Sequence, residues 1–434
     1  MTAEVNAKKN ISRRESIKAL MSSLTPIFLL ALLTCWLSAC SQADISAYQQ
    51  DMQDLQQSIA DIEARLSSGE SDTTSKDMAA KEPALANIPP EAISQAPRPL
   101  LIALSELYHK KAVLTGKYQD YQQLEHFLDK MSGQLNHPPE LRYAKAKFYA
   151  GMHKFGEATR LLDSLPPELS ESTPVRALRL DIALQQGKYQ QAQTQLQTLI
   201  ADAPDWENKI RLAHYTLNTG KVSRARALYQ EAAEMLSAKQ MYQYAWVNLQ
   251  QGLLELDLAN YDQALKFYQI ADRAYSGYWL IEEHIAEVLA LTGKTNQAKE
   301  MYRVLVRKNP NPELKLALAD LLAEQKNSSE EAEQLRNEAM AEFNLRQQLY
   351  PEAAVGHFVE RLLSLEQTHP ELLSSARLNF NARPNADSKA LLAKSYLKLG
   401  QTEQAEQLYR QILTTPWRNP GIEELAQGLD KTLE

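Results

Sequence analysis

The side chains best suited to chemistry in this chain are two thiols, eight imidazoles and one Gly-Lys-Thr triplet. The thiols, Cys35 and Cys40, sit at the end of one apolar run, and no cysteine follows. That placement excludes a disulfide scaffold, a Cys-ligated metal and a cysteine nucleophile from the rest of the chain. The imidazoles are dispersed at His109, His126, His137, His153, His214, His284, His357 and His369. None lies one helical turn from another and no H-E-x-x-H occurs, so a metal site needs ligands gathered by folding. Gly293-Lys294-Thr295 ends like a phosphate-binding loop, but Val288 stands where the upstream glycine is required. Gly-Lys also recurs at 116–117, 187–188 and 220–221, as a turn signature does. G-x-S-x-G, G-x-G-x-x-G and calcium-loop spacings are missing. The expectation is a chain with no cofactor and no metal, and not an enzyme, the rival class being a hydrolase built on an α-solenoid.

The elements around these residues are helical. Of 434 residues only 14 are Gly, and the formal net charge is −7. Ala, Leu, Gln and Glu are plentiful, which favours helices over sheets built on tight turns.

The first 39 residues read as an address. Lys8, Lys9, Arg13, Arg14 and Lys18 precede the apolar run Pro26 to Leu37, which is short of the roughly 20 residues a membrane span needs. Leu37-Ser38-Ala39-Cys40 resembles the lipobox of bacterial lipoproteins. The resemblance implies cleavage before Cys40 and diacylation of its thiol, and Ser41 in place of Asp implies outer-membrane sorting. Two or three acyl chains anchor stably where one does not. Arg13-Arg14 also resembles a twin-arginine export motif, with Ser16 where a large apolar residue is usual; a plain basic leader reads equally well. Loss of 1–39 makes the chain more acidic still, which gives no electrostatic reason to bind nucleic acid.

Residues 40–67 follow as a lipidated cysteine and a heptad helix. Ile45, Tyr48, Met52, Leu55, Ile59, Ile62 and Leu66 are spaced 3-4-3-4-3-4, the seam of a coiled coil. A homo-oligomer through residues 44–67 is the expectation; a single amphipathic helix lying on the body or the membrane is the alternative. Residues 68–99, with Pro83, Pro89, Pro90, Pro97 and Pro99, read as a disordered linker.

Beyond residue 100 the chain repeats itself. Gly220 is followed by Ala225 and Tyr229, Gly293 by Ala298 and Tyr302, Gly400 by Ala405 and Tyr409, and Gly187 by Ala192 and Leu196. Seven positions before these glycines stand Ala213, Ala286, Ala393 and the larger Leu180. Steps from Ala158 to Ala192, Ala225, Ala264, Ala298 and Ala332 are 34, 33, 39, 34 and 34 residues. This resembles the tetratricopeptide repeat. Copies fall near 139–172, 173–205, 206–239, 245–278, 279–312, 313–346, 353–386 and 386–419, after a degenerate one near 102–138. The resemblance implies an all-α solenoid over 100–419, a right-handed superhelix of helical hairpins, with 420–434 as a capping helix. It also implies a concave groove lined by Tyr143, Lys147, Asp181, Gln185, His214, Asn218, Glu283, Glu287 and Lys394. The aromatic group Tyr242, Tyr244, Trp246, Tyr275, Tyr278 and Trp279 reads as packing between hairpins.

Together these readings predict a lipid-anchored adaptor on the periplasmic face of the outer membrane. Its groove takes segments of envelope proteins, and its membrane contact is the lipid on Cys40. A purely structural oligomer is the other alternative.

Overall fold

The computed structural model of the protein describes residues 45–68, 88–323, 329–365 and 367–433. The leader, Cys40 and most of the linker lie outside the described residues. Among the described residues there are helices and no strand.

Helix α1 (Ala47–Ser68) is followed by α2 (Pro90–Gln95) and then by nine hairpins. These are α3/α4 (Arg98–Thr115, Tyr118–Gln134), α5/α6 (Pro139–Gly151, Phe155–Asp163), with the single turn α7 (Pro167–Ser170) after them, and α8/α9 (Thr173–Gln185, Tyr189–Asp202). Next come α10/α11 (Trp206–Asn218, Val222–Glu234), α12/α13 (Met241–Asp257, Tyr261–Ala274) and α14/α15 (Trp279–Leu291, Thr295–Lys308). Last are α16/α17 (Pro312–Ala323, Ser329–Leu349), α18/α19 (Pro351–Ser364, Leu372–Ala382) and α20/α21 (Ala386–Lys398, Thr402–Leu413), closed by α22 (Pro420–Leu433).

The repeat residues explain the hairpins. Ala192, Ala225, Ala264, Ala298 and Ala405 on the second helices, and Leu180, Ala213, Ala286 and Ala393 on the first, have no exposed surface. Side chains this small at the crossing let two helix axes approach within the 8–10 Å of tight packing. Gly187 ends α8 at φ +68° and Gly293 ends the α14 turn at φ +76°, a region an L side chain enters at a cost of about 1–2 kcal/mol. Asp205 and Asn385 start α10 and α20 as N-caps, accepting from the backbone N–H of Asn208 and Ser388 at 2.8 and 2.9 Å. After the final hairpin, α22 lays Ile422, Leu425 and Leu429 on its apolar face.

Two expectations are corrected. The α1 stripe does not stand free to join copies: Leu55, Ile59 and Leu66 are buried in the core shared with Leu101, Leu104 and Tyr108 of α3, with Tyr48, Met52 and Ile62 packed at its margin. Burying each large aliphatic contributes roughly 1.5–3 kcal/mol, which favours docking within the chain over an exposed seam. Tyr108 donates to Glu63, and Tyr275 donates to Asp51 at 2.7 Å, so polar groups fix the register of the docked helix. Ile45, ahead of the helix, is exposed. The linker also ends sooner than expected, because Ile88 and Ile93 are buried in the same core.

Three of the aromatic group are packing between hairpins, whereas Trp246 lines a cavity. Tyr242, Tyr275 and Tyr278 meet edge to face at 5.2–6.3 Å, and Tyr48 adds to them from α1.

Within the unit Ala47–Glu434, later hairpins return onto earlier ones in a constant register. Asn309 Nδ2 donates to Thr115 O at 3.2 Å, across 194 residues. His153 Nδ1 lies 3.0 Å from Glu352 O across 199, and Asn385 Nδ2 donates to Gln185 Oε1 at 3.3 Å across 200. Asn419 Nδ2 donates to Asn218 Oδ1 at 3.0 Å across 201. A step near 200 residues is about six 34-residue repeats. Turns of the early hairpins therefore carry the segments leading into hairpins about six repeats later.

Candidate functional site

The inner wall of the coil is built by first helices of successive hairpins, helped by the returning C-terminal ones. A cavity of about 420 Å³ is lined by His109 of α3, Lys147 of α5, Asp181 and Gln185 of α8 and His214 of α10. Across it stand Asn385, Asp387 and Trp417. A second cavity of about 660 Å³ begins at His214 and Asn218 and runs past Gln250 and Asp257 of α12 to Lys394 of α20 and Glu424 of α22. A third, of about 360 Å³, adds Trp206, Arg211 and Trp246 and also reaches Asp181 and His214. His214 lines all three.

The nine groove positions fare differently. Lys147, Asp181, Gln185 and His214 share the first cavity, and His214, Asn218 and Lys394 the second. Lys147 pairs with Glu106 at 2.8 Å, its ammonium 6.0 Å from the Tyr143 ring. Burial pushes the Asp181 carboxyl up, and Arg211, bonded to it at 3.1–3.2 Å, opposes that rise. Burial pushes His214 below its ordinary value, with Asp387 and Asp181 acting the other way. Lys394 pairs with Glu424 at 2.5 Å. Glu283 and Glu287 flank His284 on α14, apart from the three cavities.

Part of the concave groove is engaged from within the chain. Gln185 and Asn218 are engaged by Asn385 and Asn419, and Arg418 N donates to Asn218 O at 2.6 Å. Trp417 stacks on Tyr189 at 4.5 Å and is edge-on to Tyr215 at 5.8 Å. Tyr189 OH accepts from Ala386 N at 2.7 Å. Arg211, Asn385, Asp387 and Trp417 were missed. Arg211 carried a usable signal, since it lies three residues before His214 on the same helix face; the other three come from distant hairpins with nothing in their spacing to announce it.

Imidazoles crowd this wall. His109 is held down to about 4 by burial and the Lys147 charge, and His153 to about 4 by burial and Arg383. Both are neutral at pH 7, acting as hydrogen-bonding surface and not as cations.

Comparison with known proteins agrees with the hairpin geometry. Tetratricopeptide-repeat profiles match residues 178–239, 284–312 and 391–415. The chain is a tetratricopeptide-repeat protein. No curated protein sequence matches it. Among solved structures, the Pseudomonas aeruginosa pilF protein is 19% identical, with 59% of this chain and 97% of that one covered and a TM-score of 0.34. Yeast Tom70 is 15% identical over 93% of this chain and 78% of its own, at 0.36. YrrB, described as a TPR protein with an unusual peptide-binding site, is 17% identical over 50% and 91%, at 0.25.

Proposed function

We propose that this protein is a non-catalytic adaptor whose inner wall grips an extended segment of a partner protein. Tetratricopeptide-repeat proteins serve in general as protein-interaction scaffolds, and the observation that carries the reading is the run of three cavities meeting at His214. That run offers charged and hydrogen-bonding groups from α5, α8, α10 and α12 in sequence, with Trp206 and Trp246 as apolar steps. Such a surface suits a peptide of mixed polarity, held by side chains from several repeats at once.

The finer proposal places the adaptor in the cell envelope. The lipobox-like Leu37-Ser38-Ala39-Cys40 supports export, acylation at Cys40 and retention on the periplasmic face of the outer membrane, where the partner is an envelope protein. The test is in-cell photo-cross-linking from Gln250 and Leu217, followed by partner identification. One dominant partner, lost in an Asp181→Lys/Arg211→Glu variant that still folds, is the expected result. Labelling that does not change with the variant overturns the reading. Separately, Cys40→Ser must leave the membrane fraction if the anchor is an acylated thiol.

A further inference from the structure

We propose that α14 carries a divalent-cation site, best suited to Zn²⁺, formed by Glu283, His284 and Glu287. His284 Nδ1 lies 3.1 Å from Glu283 Oε2 and 3.0 Å from Glu287 Oε2, and donor atoms of all three fall within 4.8 Å of one another. Donors about 2.1 Å from one metal ion are separated by about 3.0 Å in octahedral and about 3.4 Å in tetrahedral geometry. Both imidazole–carboxylate separations are thus at ligand spacing, and the two carboxylates lie within 4.8 Å of each other. One imidazole with two carboxylates is a set that Zn²⁺ accepts, and the open positions are left to water or a partner's side chain.

Two independent observations point to a cation there. The first is Tyr268 of α13, wholly buried and stacked on the His284 ring at 5.3 Å and 17°. Its hydroxyl has no hydrogen-bond partner. A buried phenol O–H left unpaired costs about 1–3 kcal/mol, and a hydroxide held on a metal ion at this cluster would be an acceptor for it. The second is charge. Glu255 and Glu282, neighbours in the same two hairpins, are paired with Arg226 and Lys308. Among the described residues Glu283, Glu287 and Asp257 have no Lys or Arg at ion-pair distance; His284 lies beside both glutamates, and the Tyr302 hydroxyl donates to Glu283. A doubly charged ion relieves what one imidazolium cannot.

The experiment is calorimetric titration of chelator-treated, exported full-length chain with Zn²⁺, followed by Co²⁺ absorption spectra and thermal melts. The expected result is one saturable equivalent and a raised melting temperature with metal. Affinity falls about tenfold or more in His284→Gln and in Glu287→Gln, and is unchanged in His126→Gln/His369→Gln, which removes two histidines outside the cluster. Melting curves of the metal-free variants that match the parent rule out simple unfolding. Absence of saturable binding, or binding undiminished in His284→Gln/Glu287→Gln, overturns the proposal.

Discussion

Replacing Trp417 with Ala tests whether the coil is closed by contact between its turns. Trp417 is 3% exposed, stacks on Tyr189, touches Tyr215 and donates from Nε1 to Asp387 at 3.2 Å. An indole of this kind buries on the order of 200 Å², which at 25 cal/mol per Å² is about 5 kcal/mol. Aromatic-to-Ala changes in cores cost about 3–5 kcal/mol. Repeat arrays need not unfold in one step, so a single melting curve is a poor measure. Hydrogen exchange resolved by segment is the assay. In a solenoid held only by nearest neighbours, the loss stays within α20, α21 and α22. Here α8 and α9, about 200 residues upstream, must lose protection with them, by about 3 kcal/mol or more. Faster exchange in α20–α22 with α8 and α9 unchanged would refute turn-to-turn closure.

Gly187→Ala and Gly293→Ala form a matched pair: both sit at positive φ, but a Cβ at 187 would lie 2.5 Å from Pro384 O, whereas one at 293 meets nothing within 4 Å. Urea unfolding should show about 1 kcal/mol lost at 293 and clearly more at 187. Ile59→Asp should release α1 and expose its own residues to limited proteolysis without changing the oligomeric state; a change of oligomeric state instead would mean the stripe joins copies. His109 and His153 titrate near 4 in the folded chain and near 6.5 when unfolded. Between those values the unfolded chain binds more protons, so stability falls as pH drops from about 6.5 to 4. Urea midpoints of His109→Gln/His153→Gln should show a shallower acid slope, and NMR titration should leave both imidazoles neutral at pH 5.

The hairpins were readable because Gly, Ala and Tyr recur with the period of the structure, each answering a local demand of helix crossing or helix ending. Ala192, Ala225 and Ala298 sit where that period puts them, with no exposed surface. The heptad of α1 announced a helix and an apolar stripe, but periodicity is silent on what covers a stripe; Leu101 and Tyr108 do so from the same chain. Groove positions such as Asp181 and His214 follow from the repeat alone. Their partners Asp387, Asn385 and Trp417 do not, because contact across about six repeats is set by the accumulated rotation of all the hairpins between.

The register near 200 residues has a mechanical consequence. An ordinary solenoid stretches and shortens like a spring, through small changes spread over many interfaces. In this one adjacent coils are bolted together at Asn309, Asn385 and Asn419, so its pitch is fixed and its flank cannot gape without breaking several bolts at once. Inserting or deleting one repeat between residues 219 and 384 would misalign every bolt beyond it.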